Sequence, residues 1–174
     1  YIRTLLESSN GEIFVGTDEG LVKFDGISNT GWTIYDTLTS DLPKNNVYSL
    51  LESSSGEIFV GTLDGGLAKF DGISSTGWTI YHTGNSDLPN NIVYSLLESS
   101  SDDIFVGTRA GLAKFDGVNH TDWTVYNIDI DIDIDNVYIA DLYIVYSLLE
   151  SSSGDIFVGT VGGLVKFDGM NSTN

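Results

Sequence analysis

The sequence predicts an all-β fold of repeated four-stranded antiparallel sheets, and three observations carry that prediction. The first is a repeat. The text YSLLESSSGEIFVGTLDGGLAKFDGISSTGWTIY, which begins at Tyr48, recurs lightly edited from Tyr1, Tyr94 and Tyr146. With Phe14, Phe59, Phe105 and Phe157 as a ruler, the copies lie 45, 46 and 52 residues apart. Periods of roughly 40–50 residues belong to propeller blades or paired-helix solenoids. The second observation is the length of the apolar runs. Each copy breaks at Gly, Ser, Asp and Pro into YSLLE, EIFVG, GLAKF and GWTIY, β-branched and aromatic segments of strand length. The third is that no window sustains an i, i+3, i+4, i+7 stripe with helix caps, which removes the helical alternative. Four short strands per unit make one blade of a β-propeller.

The strands follow in order. The first of each unit is expected to line a central channel and the fourth to lie at the rim. Blades covered on both faces read as continuous apolar runs, as SLLE and IFVG do. Gly16, Gly61, Gly107 and Gly159 end the second strand. The turn to the third strand uses Gly20, Gly65/Gly66, Gly111 and Gly162/Gly163, where glycine permits positive φ. Asp-Gly after the third strand, from Asp25, Asp71, Asp116 and Asp168, supplies the next turn. All eight Phe fall at two repeat positions, and Trp32, Trp78 and Trp123 occupy a third on the rim strand. That regularity predicts packing between blades rather than a ligand platform. Lys23, Lys69, Lys114 and Lys166 recur with Glu7, Glu52, Glu98 and Glu150, which predicts an ion pair inside each blade.

The chain thus divides as a single domain over residues 1–174: blade 1 over 1–47, blade 2 over 48–93, blade 3 over 94–145 with an acidic insertion at 127–144, and blade 4 over 146–174. The fourth copy reaches Asn174 without a WTxY segment, so three blades are complete and one lacks its outer strand. An open array would expose two blade faces. The reading is therefore part of a larger or oligomeric propeller: a longer parent chain, a second copy closing a ring, or head-to-tail stacking. A start at Tyr1 rather than Met agrees with a piece of a longer protein.

Composition narrows the function. The formal net charge is −18, from 25 acidic and seven basic residues, a field that repels phosphate backbones and argues against nucleic-acid binding. There is no cysteine, hence no disulfide and no thiolate metal site. No apolar run approaches the ~18 residues of a membrane-spanning helix, so membrane insertion is not expected. His82 and His120 sit at non-equivalent loop positions without a metal-binding spacing. No G-x-S-x-G, P-loop or dinucleotide fingerprint is present.

The combination GGLAKFDG…GWTIY…SDLPNNIVYSLLES…GEIFVGT resembles the two-component regulator propeller repeat. The resemblance spans all four copies apart from the third rim connection and the end of the chain. It implies a propeller of an extracytoplasmic sensor or a secreted surface protein, and hence an extracellular, cell-surface or periplasmic location. No kinase or DNA-binding segment accompanies it in this sequence. Some propellers with related repeats act as lyases, which makes a lyase the weaker alternative to a non-catalytic module.

The copies differ at two connections. The turn between second and third strands reads Asp18-Glu19, Leu63-Asp64-Gly65, Arg109-Ala110 and Val161-Gly162. The link to the next blade reads DTLTSDLPKNN, then HTGNSDLPNN, then NIDIDIDIDNVYIADLYIV. Chain direction places both on one end of the propeller, where such folds bind. Asp18, Glu19, Asp64, His82 and Arg109 are the candidate ligand or partner residues there. In the insertion, Asp129, Asp131, Asp133 and Asp135 alternate with Ile128, Ile130, Ile132 and Ile134, the pattern of an amphipathic strand. Its dry face would lie on its own third blade or on a neighbouring subunit whose fourth blade lacks an edge. Calcium on those four carboxylates is the second reading; no other cofactor is expected. Asn119 and Asn171 head glycosylation triplets.

The expected function is a non-catalytic, extracytoplasmic binding or sensor module for a ligand, for instance a glycan, or a protein partner. The alternative is a structural protein whose blades or strands pair between subunits.

Overall fold

A computed structural model describes residues 1–27, 30–117, 121–126 and 143–167. The insertion carboxylates, His120 and the two glycosylation asparagines lie outside the described residues. The described chain is all strand and turn. Blade 1 holds β1 (Ile2–Glu7), β2 (Ile13–Thr17), β3 (Gly20–Phe24) and β4 (Trp32–Tyr35). Blade 2 holds β5 (Val47–Glu52), β6 (Ile58–Thr62), β7 (Leu67–Phe70) and β8 (Thr79–Tyr81). Blade 3 holds β9 (Val93–Glu98), β10 (Asp103–Thr108), β11 (Gly111–Asp116) and β12 (Trp123–Tyr126). Blade 4 holds β13 (Val145–Glu150), β14 (Ile156–Thr160) and β15 (Gly163–Phe167).

Each blade is an antiparallel meander with strands in sequence order, four in blades 1–3 and three in blade 4 among the described residues. The sheets stand side by side in chain order, and the first strands of successive blades are neighbours. Three apolar seams therefore make the core. Seam 1–2 buries Phe14, Leu21, Tyr35 and Leu42 from the blade 1 side against Ile58, Val60, Phe70 and Trp78. Seam 2–3 repeats it with Phe59, Leu67 and Leu88 against Ile104, Val106 and Phe115. Seam 3–4 sets Phe105 and Leu112 against Ile156 and Val158. Each strand supplies both of its neighbours, since alternate side chains point to opposite faces, which is why the copies read apolar throughout.

Where a neighbouring blade is present, the Phe and Trp rings pack in the seams. Phe14, Phe59 and Phe105 meet Phe70, Phe115 and Phe167 of the following blade edge-on, with centroids 6.3, 5.8 and 6.3 Å apart. Trp78 and Trp123 stack on the Phe of their own blade at 4.4 and 4.5 Å.

The glycine of the IFVGT motif does something other than end a strand. Its φ is not positive; instead a β-carbon on Gly16, Gly61 or Gly107 would fall 2.6, 2.6 or 2.5 Å from Cγ1 of Val47, Val93 or Val145 in the next blade. The bare backbone lets successive sheets approach. In the connection between second and third strands, positive φ falls instead at Gly20, Gly66, Gly111 and Gly163. The threonine after the motif glycine clamps each of these turns: Thr17, Thr62, Thr108 and Thr160 donate to the carbonyls of Gly20, Gly66, Gly111 and Gly163 at 2.9–3.0 Å.

Lysine forms the expected ion pair inside each blade, but with a different carboxylate. Lys23, Lys69, Lys114 and Lys166 reach Glu12, Glu57, Asp103 and Asp155, at the head of the second strand, at 3.0, 2.6, 2.8 and 2.9 Å. The hydrogen bond it donates to Asp103 raises the Lys114 pKa, and the one Asp155 accepts from Lys166 lowers that of Asp155. The carboxylates at the end of the first strand cross to the preceding blade instead. Glu52 accepts from the Ser9 backbone and hydroxyl at 2.6 and 2.8 Å, Glu98 likewise from Ser54 at 2.7 and 2.9 Å, and Glu150 from Ser100 at 2.7 Å each. Each seam is thus stapled by one serine and one glutamate.

Candidate functional site

The variable turns lie at one end of the blades, built by the clamps just described. In blade 2 an extra residue forces Asp64 to φ 68, which exposes its carboxylate at the tip of the turn. Glu19 and Arg109 are exposed at the equivalent tips, and the Arg109 backbone N–H donates to Ile92 O at 3.0 Å. Links between blades start and finish at this end: Asn46 Nδ2 donates to Asp18 O at 3.2 Å, and Leu63 N donates to Asn46 O at 3.0 Å. The middle of the first link runs down the rim, where Asp41 accepts from Gly77 N at 2.6 Å in the turn at the far end. The same-end placement therefore holds for the roots of the link and not for its whole length.

Two of the five sequence candidates are occupied by local structure. Asp18 takes a fork from Arg3, at 2.7 Å from Nε and 3.0 Å from Nη2; this bond holds the Asp18 carboxyl below its ordinary pKa and raises that of Arg3. His82 accepts from Gly84 N through Nδ1 at 3.0 Å. Its counterpart in the first link, Asp36, accepts from Leu38 N and Thr39 N at 2.8 Å, and these backbone bonds lower its pKa. The imidazole of His82 is a turn cap standing in for a carboxylate. Glu19, Asp64 and Arg109 are the candidates that project at the tips.

The structure adds a feature that the sequence spacing hides. Every first strand carries a β-bulge close to this end. Val47 pairs with Thr62 and Ser49 with Gly61, so Tyr48 between them has no partner opposite. Tyr94 and Tyr146 are bulged in the same way. In blade 1 the pairs are Ile2 with Thr17 and Thr4 with Gly16, so the bulged residue is Arg3. Arg3, and not Tyr1, is the counterpart of Tyr48, which shifts the first copy by two residues from the alignment on Tyr1. A bulge re-aims its side chain out of the strand alternation. Here it produces a row along the inner strands. Arg3 Cζ sits 5.1 Å from the Tyr48 ring centre, Tyr48 is 5.7 Å from Tyr94, and Tyr94 is 5.1 Å from Tyr146. The unique Asp18 is explained by the unique arginine: it balances the one charged member of the row. The available signal was the triplet V-Y-S in three copies against I-R-T in the first.

Residues 41–64 match the family model described as two component regulator propeller. That stretch carries the two-component regulator propeller repeat. The repeat's fold is shared by solved structures of other propellers. One is the extracellular domain of a protein described as a hybrid two-component system of B. thetaiotaomicron, with a TM-score of 0.67 and 21% identity over 97% of this chain and 28% of that one. Virginiamycin B lyase of Staphylococcus aureus aligns with a TM-score of 0.65 and 15% identity over 95% of this chain and 55% of that one. YCF48 bound to D1 peptide aligns with a TM-score of 0.62 and 17% identity over 95% of this chain and 50% of that one. At these identities the likeness concerns the fold. The repeat chain spans between about a quarter and a little over half of these structures. No curated protein sequence matches it. No helix among the described residues is long and apolar enough to cross a membrane.

Proposed function

We propose that this chain is a non-catalytic binding portion of an extracytoplasmic propeller, and that it takes a ligand, a glycan in the first instance, or a protein partner on the end bearing the bulged row. The observation that carries the reading is the fourfold bulge. A device that withdraws one residue per blade from the sheet and aligns Arg3, Tyr48, Tyr94 and Tyr146 costs ladder hydrogen bonds and is repeated without exception. Tyrosine offers a flat apolar face with a polar edge, suited to sugar rings and to protein contacts alike. The exposed tips at Glu19, Asp64 and Arg109 flank that row with both signs of charge.

The comparisons support the class and not the ligand: one solved neighbour is described as an extracellular domain, another as carrying a bound peptide. A lyase is also among the neighbours. The geometry favours binding over catalysis, because Asp18 and His82 are committed to Arg3 and to a turn N–H.

A glycan array screened with and without calcium tests the reading, followed by titration of any hit. Tyr94→Ala is expected to weaken binding about tenfold, the loss of ~1.4 kcal/mol, whereas Ile73→Ser, at the opposite end, leaves it unchanged. Binding that is indifferent to Tyr94, Asp64 and Arg109 would overturn it.

A further inference from the structure

The three seams are made by the same inner-strand and middle-strand pairs, and counterparts of both halves of these pairs recur at the two open faces. The serine–glutamate staple joins Ser9 to Glu52, Ser54 to Glu98 and Ser100 to Glu150. Ser152 of blade 4 and Glu7 of blade 1 hold the next donor and acceptor positions, and among the described residues neither side chain has a partner. Gly159 continues the series of glycines, yet no valine of a following blade closes on it, and Ile2 stands where Val47 stands in blade 2. Tyr146 ends the tyrosine row, while Arg3 begins it. The apolar positions show the same vacancy: Leu164 is 72% exposed and Ile34 60%, whereas Leu67, at the Leu164 position, is 0%.

We propose that the blade 4 face receives the blade 1 face of a second copy of this chain. The new seam would set Ser152 against Glu7, Gly159 against Ile2 and Tyr146 against Arg3 of the next copy, repeating the inner-strand contacts of the three existing seams. The pairs are donor–acceptor and small–large, so they are satisfied head to tail. A like-face contact would bring Glu7 to Glu7 or Gly159 to Gly159. Such a contact closes a ring when the rotation allows it and otherwise continues as a filament. This proposal stands independently of the ligand reading, since it uses the faces of the end blades and not the loop tips.

Light scattering and native mass measurement on the 174-residue chain test it. The parent chain is expected to run as two copies or a larger head-to-tail species. Ile34→Asp and Leu164→Asp, both at exposed positions, are each expected to give a monomer with unchanged circular dichroism. Mixing the two restores one intact seam and gives a heterodimer, because one variant keeps a sound blade 4 face and the other a sound blade 1 face. As a second pair, Ser152→Asp sets two carboxylates together and weakens association at least about tenfold; adding Glu7→Lys recovers it. A monomeric parent chain, a single-face variant that keeps the parent mass, or a mixture that stays monomeric would each overturn the proposal.

Discussion

The same repeat position has two fates in this molecule. Trp78, in blade 2, is 8% exposed, held between Phe70 of its own sheet and Tyr35 of blade 1; Trp32, in blade 1, is 54% exposed with Phe24 of its own sheet stacked on it. Leu21, Leu67 and Leu112 vanish into seams while Leu164 stands open. The local sequence around each is nearly the same. Burial here is set by the neighbouring sheet, so the energetic unit is the seam and not the blade, as expected of a repeat array whose stability sums nearest-neighbour interfaces.

That contrast can be broken or sharpened by paired substitutions, measured by denaturant unfolding of dilute, monomeric protein. The largest effect belongs to the apolar core. Leu67→Ala is expected to cost about 2–5 kcal/mol through lost transfer and a residual cavity, and Leu164→Ala within about 0.5 kcal/mol. Equal losses would show that blade 4 is covered in solution. Next comes close approach. Gly107→Ala drives a methyl into Ser95 and Val145 and is expected to cost about 1–3 kcal/mol, while Gly159→Ala meets Ser147 of its own blade without a valine from a next one and costs less. Then the staple: Glu98→Ala should cost up to ~1 kcal/mol, discounted for solvent screening, and Glu7→Ala nothing measurable.

The smallest effect is acid sensitivity. Asp18, Asp36, Asp71 and Asp155 all have pKa values lowered from 3.8: Asp18 by Arg3, Asp36 and Asp71 by backbone N–H groups, Asp155 by Lys166. A carboxylate with a depressed folded pKa contributes stability that is full above the unfolded value and disappears as pH falls through the folded one. The melting temperature should therefore decline as pH drops below about 3.8 and further into acid. Asp18→Asn should flatten part of that decline.

Much of the fold was legible because the repeat exposes its own rules four times. Strand lengths, turn glycines and paired Phe positions follow from alternation and from turn chemistry, both local. The ion pairs were half legible. Two acidic positions per copy lie within reach of the lysine by spacing, and only the stacking of sheets assigns Glu57 to Lys69 while sending Glu52 to Ser9. The candidate site was less legible still. Exposed tips such as Asp64 could be found from differences between copies, but Asp18 and His82 look the same in sequence and prove to be clamps. The bulged row escaped detection because a chance Tyr1 imitates Tyr48, and a bulge changes register without changing composition.

By itself, then, the sequence determined the four-stranded blade, its order of strands and its turns, since each depends on contacts only a few residues apart. Which glycines must stay bare, which glutamates cross between sheets, and which of four equivalent leucines or tryptophans is dry were decided by tertiary structure alone. Those outcomes depend on what stands ~10 Å away across a sheet face, and identical segments cannot encode different neighbours.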